Sequence, residues 1–525
     1  MAKVLISDPI SATGVQILEN SGIEVLYPRR GKKVGLMKII NKIDGIIVRS
    51  GTIVGEELMN KAKNLQVIAR AGVGVDNIDV SYATRRGIVV INTPDVNTIS
   101  AAEHTIAMLL ALSRNLHIAH DKLINGQWGR HALTGTELKN KVIGVIGLGK
   151  IGREVITRCK SFGMKVIGYD PYVNGENFEK GEIEILDLDS VIKSADYITL
   201  HIPLNSSTKN LFNHSRLSNM KPTARIINVA RGGIINEADL AKVLNDSTIA
   251  GAAVDVFSTE PLEDSNPLLS AKNILLSPHL GASTSEAKEG VSKLICEQVR
   301  DYLNDGKLSN VLNMPVQNTL LYKELRYFLK LGEMIGSILS QLIEEPILNV
   351  VVECQGTNED MRPVLIALLQ GLLKPNLPDR INYINAEAIA KELGIIVELR
   401  YINNDSNYQN IISAYVKTKS RTYEISGSVF DHKNLRLINI LGRDLEITPK
   451  GNMIFLCNVD VPGVIGKIGT LFGRLGINIA AYLLSRNKAN NEAFAVIRLE
   501  RPLDNGEILK LKRLDDIKWF YQIKV

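Results

Sequence analysis

The sequence is short of cysteine, with four in 525 residues: Cys159, Cys296, Cys354 and Cys457. They are far apart and no C-x-x-C pair occurs, so neither a disulfide framework nor a zinc site is indicated, and we expect no metal. Sparse, unpaired cysteines are typical of proteins in a reducing compartment. We therefore expect a cytoplasmic protein.

The sequence also lacks long apolar runs and a strong excess of charge. No apolar run approaches the roughly 18 residues that a membrane-spanning helix needs, so no membrane span is expected. The first residues, MAKVLISDPIS, pass almost directly into a strand pattern, and we expect no signal peptide. Lys and Arg number 62 against 56 Asp and Glu, and the net charge of +6 is spread along the chain. This balance does not favour nucleic acid as a partner.

The length predicts several domains, since about 150 residues per domain would give three or four. Residues 1–97 alternate short strands and helices, which predicts a mainly parallel sheet. A strongly helical run from Thr98 leads into a second α/β unit over 98–284. A helix from Ser285 is expected to return to the first unit, so that the first domain is discontinuous over 1–97 and 285–310.

The last 200 or so residues follow different patterns. Residues 313–450 show a helix, Leu321–Leu342, and later strand signals, but no motif with an assignable chemistry. Residues 451–525 follow the order strand, helix, strand, strand, helix, strand. That order is the ferredoxin-like βαββαβ arrangement.

The stretch Lys141–Asp170 predicts a dinucleotide site. An apolar strand breaks into a G-x-G-x-x-G turn, a helix follows, and a second strand delivers an acid. In this pattern Gly147 allows the tight turn, Gly149 lets the backbone approach a pyrophosphate, and Gly152 lets helix and strand pack closely. Asp170 lies 170 − 147 = 23 positions after the first glycine, against about 20 for the acid that binds the adenosine ribose. An acid there disfavours a 2′-phosphate, so the pattern predicts NAD rather than NADP.

Three polar residues follow later strands of the same unit. Arg231 follows a buried strand in NVARGG, Glu260 lies in DVFSTEP, and His279 ends a strand in SPHLGAS. The carboxyl ends of parallel strands line the ligand cleft, so we expect the three side chains to meet there. An Arg can hold a carboxylate, a His can take a hydroxyl proton, and a Glu beside that His raises its pKa. Each residue alone could equally be a turn cap, a surface carboxylate or a loop imidazole.

The sequence resembles the D-isomer-specific 2-hydroxyacid dehydrogenases in the stretches GLGKIG…YDP, NVARGGIINE, AGAAVDVFSTEP and SPHLGAST. The region 313–450 resembles an intervening domain, and LCNVDVPGVIGKIGTLFGRLGINIAAYLLSR resembles an ACT domain. This combination resembles the long members of the family that act on 3-phosphoglycerate. The resemblance implies a Rossmann-type domain, a flavodoxin-like substrate domain, an α+β intervening domain and a ferredoxin-like ACT domain. The implied activity is NAD-dependent oxidation of 3-phosphoglycerate to 3-phosphohydroxypyruvate, the first step of phosphorylated serine synthesis, in a homotetramer that serine regulates.

The resemblance also implies roles for individual residues. Arg231, Glu260 and His279 would be catalytic, with His279 as the acid and base. The implied cofactor contacts are Gly147, Gly149, Lys150, Ile151, Gly152, Asp170, Ile202, Val229, Ala230, Arg231, Asp255, His279, Gly281 and Ala282. The implied substrate contacts are Arg49, Ser50, Val73, Gly74 and Arg130. The implied serine contacts are Asn458, Asp460 and Asn478.

Two other functions remain open from the sequence. One is glyoxylate or hydroxypyruvate reduction, which would use the same trio without a phosphate contact. The other is an NAD-sensing, corepressor-like binding protein on the same fold. Arg49 and the ACT-like tail disfavour the first, and the complete trio disfavours the second.

Overall fold

A computed structural model of the chain describes residues 1–27, 39–173, 183–315, 324–356, 360–377, 380–402, 408–431, 433–487 and 490–525. The predicted start of a helix at Leu321 lies outside these ranges. Among the described residues, no helix is long and apolar enough to cross a membrane. All four cysteines are free and buried.

The first sheet is parallel and belongs to the unit at the start of the chain. Its strands are β1 Lys3–Ile6, β2 Glu24–Leu26, β3 Gly45–Val48, β4 Val67–Arg70 and β5 Val89–Asn92, with helices Ala12–Asn20, Glu56–Lys61 and Val80–Arg85 and a short 3-10 turn Ile40–Lys42. The order β2-β1-β3-β4-β5 is the flavodoxin-like one, as predicted. The strands are apolar on both faces because helices cover both sides of the sheet.

The long helix Ser285–Asp305 packs on this first sheet. Its residues Ile295 and Val299 share a core with strand residues such as Val4 and Val67. The Ser292 hydroxyl accepts a hydrogen bond of 3.1 Å from the backbone N–H of Ser11. The chain therefore leaves the first sheet and later returns to it.

The second sheet is also parallel and has the Rossmann strand order with one further edge strand. Its strands are β6 Val142–Ile146, β7 Lys165–Tyr169, β8 Glu184–Ile185, β9 Tyr197–Leu200, β10 Arg225–Asn228, β11 Gly251–Val254 and β12 Ile274–Leu276. Its helices are Thr98–Ser113, Leu116–Ile124, Lys150–Ser161, Leu188–Ser194, His214–Ser218 and Glu237–Asn245, with 3-10 turns Arg130–Ala132 and Pro267–Ser270. The order is β12-β11-β10-β9-β6-β7-β8. The strand order reverses between β6 and β9, which are parallel neighbours, and ligands bind at this point in such sheets.

The third sheet and its helices form an α+β unit. Its strands are β13 Asn349–Gln355, β14 Ile396–Ile402, β15 Ile411–Lys417, β16 Thr422–Phe430, β17 Asn434–Ile440 and β18 Arg443–Ile447, in the order β14-β13-β15-β16-β17-β18. The helices are Arg326–Leu342, Arg362–Leu373 and Ala386–Glu392. Strand β13 alternates between buried and half-buried residues, so one face of the sheet packs on the helices.

The fourth sheet is antiparallel and has the predicted ferredoxin-like arrangement. Its elements are β19 Asn452–Val459, helix Val464–Arg474, β20 Ile479–Asn487, β21 Glu492–Leu499, helix Asn505–Lys512 and β22 Ile517–Lys524. The strand order is β20-β21-β19-β22. One face packs on the two helices, while Phe455 and Phe494 on the other face belong to the core of the third sheet. The last two units therefore share apolar packing.

Candidate active site

The glycine turn after β6 has the shape that a dinucleotide needs. Gly147 has φ +96°, and a Cβ there would lie 2.4 Å from the carbonyl oxygen of His201. A Cβ on Gly152 would lie 2.1 Å from the carbonyl oxygen of Gly147, so the helix Lys150–Ser161 sits directly against the turn. A Cβ on Gly149 would meet no atom within 4 Å. Open space therefore faces Gly149 at the helix N-terminus, where a pyrophosphate would lie.

Asp170 is fixed at the end of β7, beside this turn. Its two carboxylate oxygens accept backbone N–H groups from Leu148 and Tyr172, each at 2.9 Å. The acid is thus tied to the glycine turn itself. These residues fit NAD, since the ribose hydroxyls would meet a fixed acceptor and a 2′-phosphate would meet a negative charge.

Lys150 and Ile151 open the helix after the turn. The Lys150 ammonium forms an ion pair with Asp95, which follows β5 in the chain and precedes the helix Thr98–Ser113. Both side chains are exposed, so the pair contributes little stability. Ile151 is a half-buried member at the edge of the core of this sheet.

Glu260 and His279 form a direct pair. Oε2 of Glu260 lies 2.7 Å from Nδ1 of His279, and Oε1 accepts the backbone N–H of Phe257 at 3.0 Å. A carboxylate only accepts hydrogen bonds, so Nδ1 carries the proton and Nε2 is left for a substrate. The two residues follow β11 and β12, which are neighbours in the sheet.

The contact between Glu260 and His279 shifts the pKa of both side chains. The hydrogen bond to Glu260 raises the pKa of His279, against the opposing effects of burial and of Arg231. Burial alone would raise the pKa of Glu260, but hydrogen bonds from His279 and the Phe257 N–H outweigh it and lower that pKa. The imidazole is thereby suited to accept a proton in front of a carboxylate that stays ionised.

Asp255 anchors the turn that carries His279. The side chain is completely buried, and its oxygens accept the backbone N–H groups of Leu280 at 2.8 Å and Gly281 at 2.9 Å. It also accepts from the Ser277 hydroxyl and lies 3.1 Å from Nε2 of His104. Burial would raise the pKa of Asp255, but these hydrogen bonds lower it. His104 was not among the predicted residues because it lies on the helix Thr98–Ser113, far from Asp255 in sequence.

The other predicted cofactor residues surround the same crevice. Ile202 packs on the turn, its Cγ2 2.9 Å from where a Cβ on Gly147 would lie. The Cγ1 of Val229 lies 3.0 Å from the corresponding point on Gly281. Ala230 is fixed through its N–H to Oδ1 of Asn228 at 3.0 Å. Ala282 follows in the His279 turn and is half-buried.

Arg231 faces the substrate-side domain. Its Nη2 lies 2.8 Å from where a Cβ on Gly74 would be, and its Nε is 3.9 Å from Asp76. Its Nη1 donates to the carbonyl of Ala230 at 2.7 Å. Val73, next to Gly74, has its carbonyl held by the Asn92 amide at 2.7 Å. The cleft therefore has Arg231 on one wall and the loop after β4 on the other.

Arg49 and Ser50 follow β3 on that second wall. The backbone N–H of Arg49 donates to Oδ2 of Asp8 at 2.6 Å, and Ser50 is exposed. Arg130 is exposed on its 3-10 turn, and no hydrogen bond or ion pair within the described ranges joins it to this wall. Its predicted substrate contact stays a prediction.

Arg70 is a cleft residue that the sequence reasoning did not single out. It ends β4, and its guanidinium interacts electrostatically with both Arg49 and Arg231. The sequence did carry a signal for it, since Arg70 ends the apolar run VIAR just as Arg49 ends the run IIVR. Three guanidinium groups thus converge on one cleft, which suits a ligand of high negative charge.

The predicted serine residues lie in the fourth unit. Asp460 is paired with Arg486, whose Nε lies 2.8 Å from one carboxylate oxygen and 3.1 Å from the other. Asn458 is buried and donates to the carbonyl of Val459 at 2.7 Å, while its Oδ1 has no partner in the described part of the chain. Asn478 is exposed at the start of β20. An ammonium group at Asp460 would therefore have to compete with Arg486.

Family models match two parts of the chain. Residues 106–281 match the model described as "D-isomer specific 2-hydroxyacid dehydrogenase, NAD binding domain". Residues 324–441 match the model of the "D-3-phosphoglycerate dehydrogenase intervening domain". The two matches cover the second sheet and most of the third.

Curated relatives match the whole length. A D-3-phosphoglycerate dehydrogenase of Synechocystis is 38% identical over 530 residues, covering 100% of this chain and 95% of that protein. The Bacillus subtilis protein of the same name is 36% identical, covering 98% of each chain. The Methanocaldococcus jannaschii protein of the same name is 37% identical, covering 99% of each.

Solved structures of dehydrogenases and reductases match a little over half of the chain. The NAD-dependent formate dehydrogenase of Staphylococcus aureus in complex with NAD has a TM-score of 0.54 and 28% identity, covering 59% of this chain and 98% of that chain. The NADPH-dependent glyoxylate/hydroxypyruvate reductase of Sinorhizobium meliloti has a TM-score of 0.54 and 29% identity, covering 59% and 98%. Both are similar to the paired parallel sheets described above.

Proposed function

This chain belongs to the D-3-phosphoglycerate dehydrogenase family, and on that premise we propose that its cleft oxidises 3-phosphoglycerate to 3-phosphohydroxypyruvate with NAD through Arg231, Glu260 and His279. The observation that carries these residue roles is the 2.7 Å pair between Nδ1 of His279 and Glu260, with the guanidinium of Arg231 close enough to act on the pKa of His279. A proton acceptor and an anion-binding wall are what oxidation of a phosphorylated 2-hydroxy acid requires.

His279 takes the proton of the C2 hydroxyl on Nε2 as the C2–H bond breaks. Glu260 accepts the Nδ1–H throughout, so it fixes the tautomer and stabilises the imidazolium that forms. In the reverse reaction the same imidazolium returns the proton to the carbonyl oxygen. One residue therefore serves both directions.

Arg231 binds the substrate carboxylate, beside the backbone of Val73 and Gly74. This orients C2 between His279 and the crevice of the glycine turn. Bound NAD supplies the acceptor for the hydride that leaves C2. Arg49, with Ser50 and Arg130, is the proposed phosphate side of the site.

For cofactor binding, the proposed contacts fall into two groups. The pyrophosphate is bound by the glycine turn and the start of its helix (Gly147, Gly149, Lys150, Ile151 and Gly152), and the adenosine ribose by Asp170. The nicotinamide end is lined by Ile202, Val229, Ala230, Asp255, Gly281 and Ala282. The open space at Gly149 and the fixed Asp170 carboxylate support this division.

We assign the domains as substrate-binding over 1–97 and 285–310, NAD-binding over 98–284, intervening over 313–450 and ACT over 451–525. The packing of helix Ser285–Asp305 on the first sheet supports the discontinuous domain. We propose that the protein is cytoplasmic, and its free, buried cysteines support a reducing compartment.

The direct test is a spectrophotometric assay of purified protein. We expect NADH to form with 3-phosphoglycerate and NAD, and to be consumed with 3-phosphohydroxypyruvate. His279→Ala should lower kcat by a factor of about 100 or more, the usual worth of general acid–base catalysis. Turnover of glyoxylate or hydroxypyruvate but of neither phosphorylated substrate would favour the reductase instead, and NAD binding without turnover would favour a sensing protein.

We further propose a serine-regulated homotetramer. Exposed apolar side chains on the segment 116–128, with Leu123 58%, Ile124 67% and Trp128 77% exposed, support contact with a second copy there. Serine would bind at Asn458, Asp460 and Asn478, displacing Arg486 from Asp460. Light scattering gives the mass, and a serine titration of the oxidation rate tests the regulation; a monomer, or a rate indifferent to serine, contradicts the respective part.

A further inference from the structure

The cleft holds more positive charge than the assigned substrate contacts use. Arg231 is assigned to the carboxylate, and Arg49, with Ser50 and Arg130, to the phosphate. Arg70 interacts electrostatically with both Arg49 and Arg231, and the carboxylates that act on its charge are Asp8 and Asp76. Burial lowers the pKa of Arg70 to about 10, and the neighbouring Arg49 contributes to the same effect. At neutral pH Arg70 is still charged, and this surplus charge is complementary to an anion.

The Arg70 guanidinium is held in place by hydrogen bonds from two of its three nitrogens. Its Nε donates to Oδ1 of Asn77 at 3.2 Å, and its Nη1 donates to the carbonyl of Ala71 at 3.1 Å. Its Nη2 has no hydrogen-bond partner within the described ranges. A guanidinium held on two sides with a free edge is preorganised for an oxyanion.

Asn77 links this guanidinium to the loop that carries Arg49. While its Oδ1 accepts from Arg70, its Nδ2 donates to the carbonyl of Arg49 at 2.7 Å and to that of Thr52. One amide side chain therefore holds both the Arg70 guanidinium and the backbone from which the Arg49 side chain extends. The second side of the loop is held by Asp8, which accepts the Arg49 N–H at 2.6 Å and the Thr52 hydroxyl at 3.0 Å.

We propose that Arg70 is a second phosphate-binding guanidinium beside Arg49, and that Asn77 is the positioning residue that makes the two act as one clamp for a phosphorylated 2-hydroxy acid. The proposal rests on the assignment of this cleft as the 3-phosphoglycerate site. It assigns to Arg70 the discrimination between a phosphorylated substrate and the same acid without phosphate.

The test compares 3-phosphohydroxypyruvate with hydroxypyruvate, both reduced with NADH. Arg70→Gln should lower kcat/KM for the phosphorylated substrate roughly tenfold to a hundredfold, the usual worth of a charged hydrogen bond. For hydroxypyruvate the change should stay below about threefold, since no phosphate contact is lost. Arg70→Lys, which keeps the charge but not the fork, should fall between wild type and Arg70→Gln.

Asn77 requires a different readout, because it does not touch the substrate. Asn77→Ala should raise KM for 3-phosphohydroxypyruvate while kcat stays within about twofold of wild type, since binding geometry is lost and the chemistry is not. Hydroxypyruvate kinetics should be unchanged. A fall in kcat for both substrates would show a general structural defect and overturn the positioning role.

Arg86→Gln is the matched control, since it removes one positive charge from the same domain. Arg86 directly follows the helix Val80–Arg85, and its Nη1 donates to Oδ1 of Asn60 at 2.8 Å. It should leave the substrate preference unchanged. A similar loss in Arg86→Gln would assign the effect to net charge and overturn the proposal.

The outcomes separate this inference from the proposed function. If wild type reduces 3-phosphohydroxypyruvate but Arg70→Gln keeps the wild-type preference, or loses both substrates equally, the clamp is wrong and the function stands. If wild type itself fails to act on 3-phosphohydroxypyruvate, the proposed function is wrong, and the proposed clamp, which rests on it, is wrong as well. Should Arg70→Gln not fold, a folded Arg70→Lys with the wild-type preference overturns the clamp.

Discussion

Replacement of Glu260 by Gln keeps the size of the side chain but removes its charge. Glu260 accepts the Phe257 N–H on Oε1 and the Nδ1–H of His279 on Oε2, whereas Gln has one carbonyl oxygen and therefore loses one of these two acceptors as well. The imidazolium that forms on His279 during 3-phosphoglycerate oxidation then has no counter-ion. The variant should therefore be slower and should titrate differently, while it still binds NAD.

The size of the rate effect follows from the geometry of the pair. A hydrogen bond between charged groups is worth about 1.5–3 kcal/mol. The bond is short, 2.7 Å, but the side chains of His279 and Glu260 are 48% and 35% exposed, so solvent screening places the pair at the lower end of that range. A loss near 1.4 kcal/mol corresponds to about tenfold in kcat/KM.

The direction of the pH effect is fixed by the raised pKa of His279. Oxidation needs neutral His279, so its kcat/KM rises as pH passes upward through that pKa. Reduction needs protonated His279, so its kcat/KM is full below that pKa and falls above it. In Glu260→Gln both transitions should move to lower pH, and reduction at neutral pH should lose more than oxidation.

The assay is kcat/KM against pH in both directions, for wild type, Glu260→Gln and Glu263→Gln. Glu263 is an exposed carboxylate three residues further along the same loop, so its variant removes the same charge without touching His279. Transitions that stay in place or move to higher pH in Glu260→Gln would refute the assignment of Glu260 as the partner that raises the His279 pKa. So would an equal shift in Glu263→Gln.

Other residues of the cofactor crevice give outcomes of their own. Gly152→Ala should lower the free energy of unfolding by about 1–3 kcal/mol and weaken NADH binding, because its Cβ would lie 2.1 Å from the Gly147 carbonyl oxygen. Gly149→Ala, whose Cβ meets no atom within 4 Å, should weaken NADH binding in a fluorescence titration and leave the unfolding midpoint unchanged. Asp170→Ser should reduce the kcat/KM preference for NADH over NADPH by about tenfold, since a negative charge facing the 2′-phosphate is removed. Asp255→Asn should cost about 1–3 kcal/mol in denaturant unfolding, because an amide nitrogen would face backbone N–H donors.

The sequence predicted those features of the structure that depend on residues close to one another in the chain. Alternating strands and helices predict parallel sheets, and the glycine turn with Asp170 predicts the cofactor crevice, because both depend on neighbours in sequence. Arg231, Glu260 and His279 were predicted to converge because each follows a strand. The strands concerned, β10, β11 and β12, are adjacent in the sheet.

The missed contacts join residues that are distant in sequence or ambiguous by type. His104 reaches Asp255 from a helix 151 positions earlier, 255 − 104 = 151, and nothing in that helix marks one face as facing the site. In the sequence, Arg70 looks like any other charged residue at the end of a strand. Only the structure shows that Asn77 links its guanidinium to the backbone of Arg49. Asp460 was predicted as a serine contact, but its pairing with Arg486 depends on strand register, which the sequence did not resolve.

The contacts of the last two units bear on how an effector could act on the cleft. The face of the fourth sheet that carries Phe455 and Phe494 is packed into the core of the third, so the two units are coupled by shared apolar burial. From the third unit, Asn382 and Asn385 donate to the backbone of Gly87 and Arg85, between β4 and β5. An effector changes a rate only through different affinities for two arrangements of the protein. These contacts reach the sheet that holds Arg49 and Arg70, so we expect an effector bound in the fourth unit to act by changing the position of that sheet relative to His279.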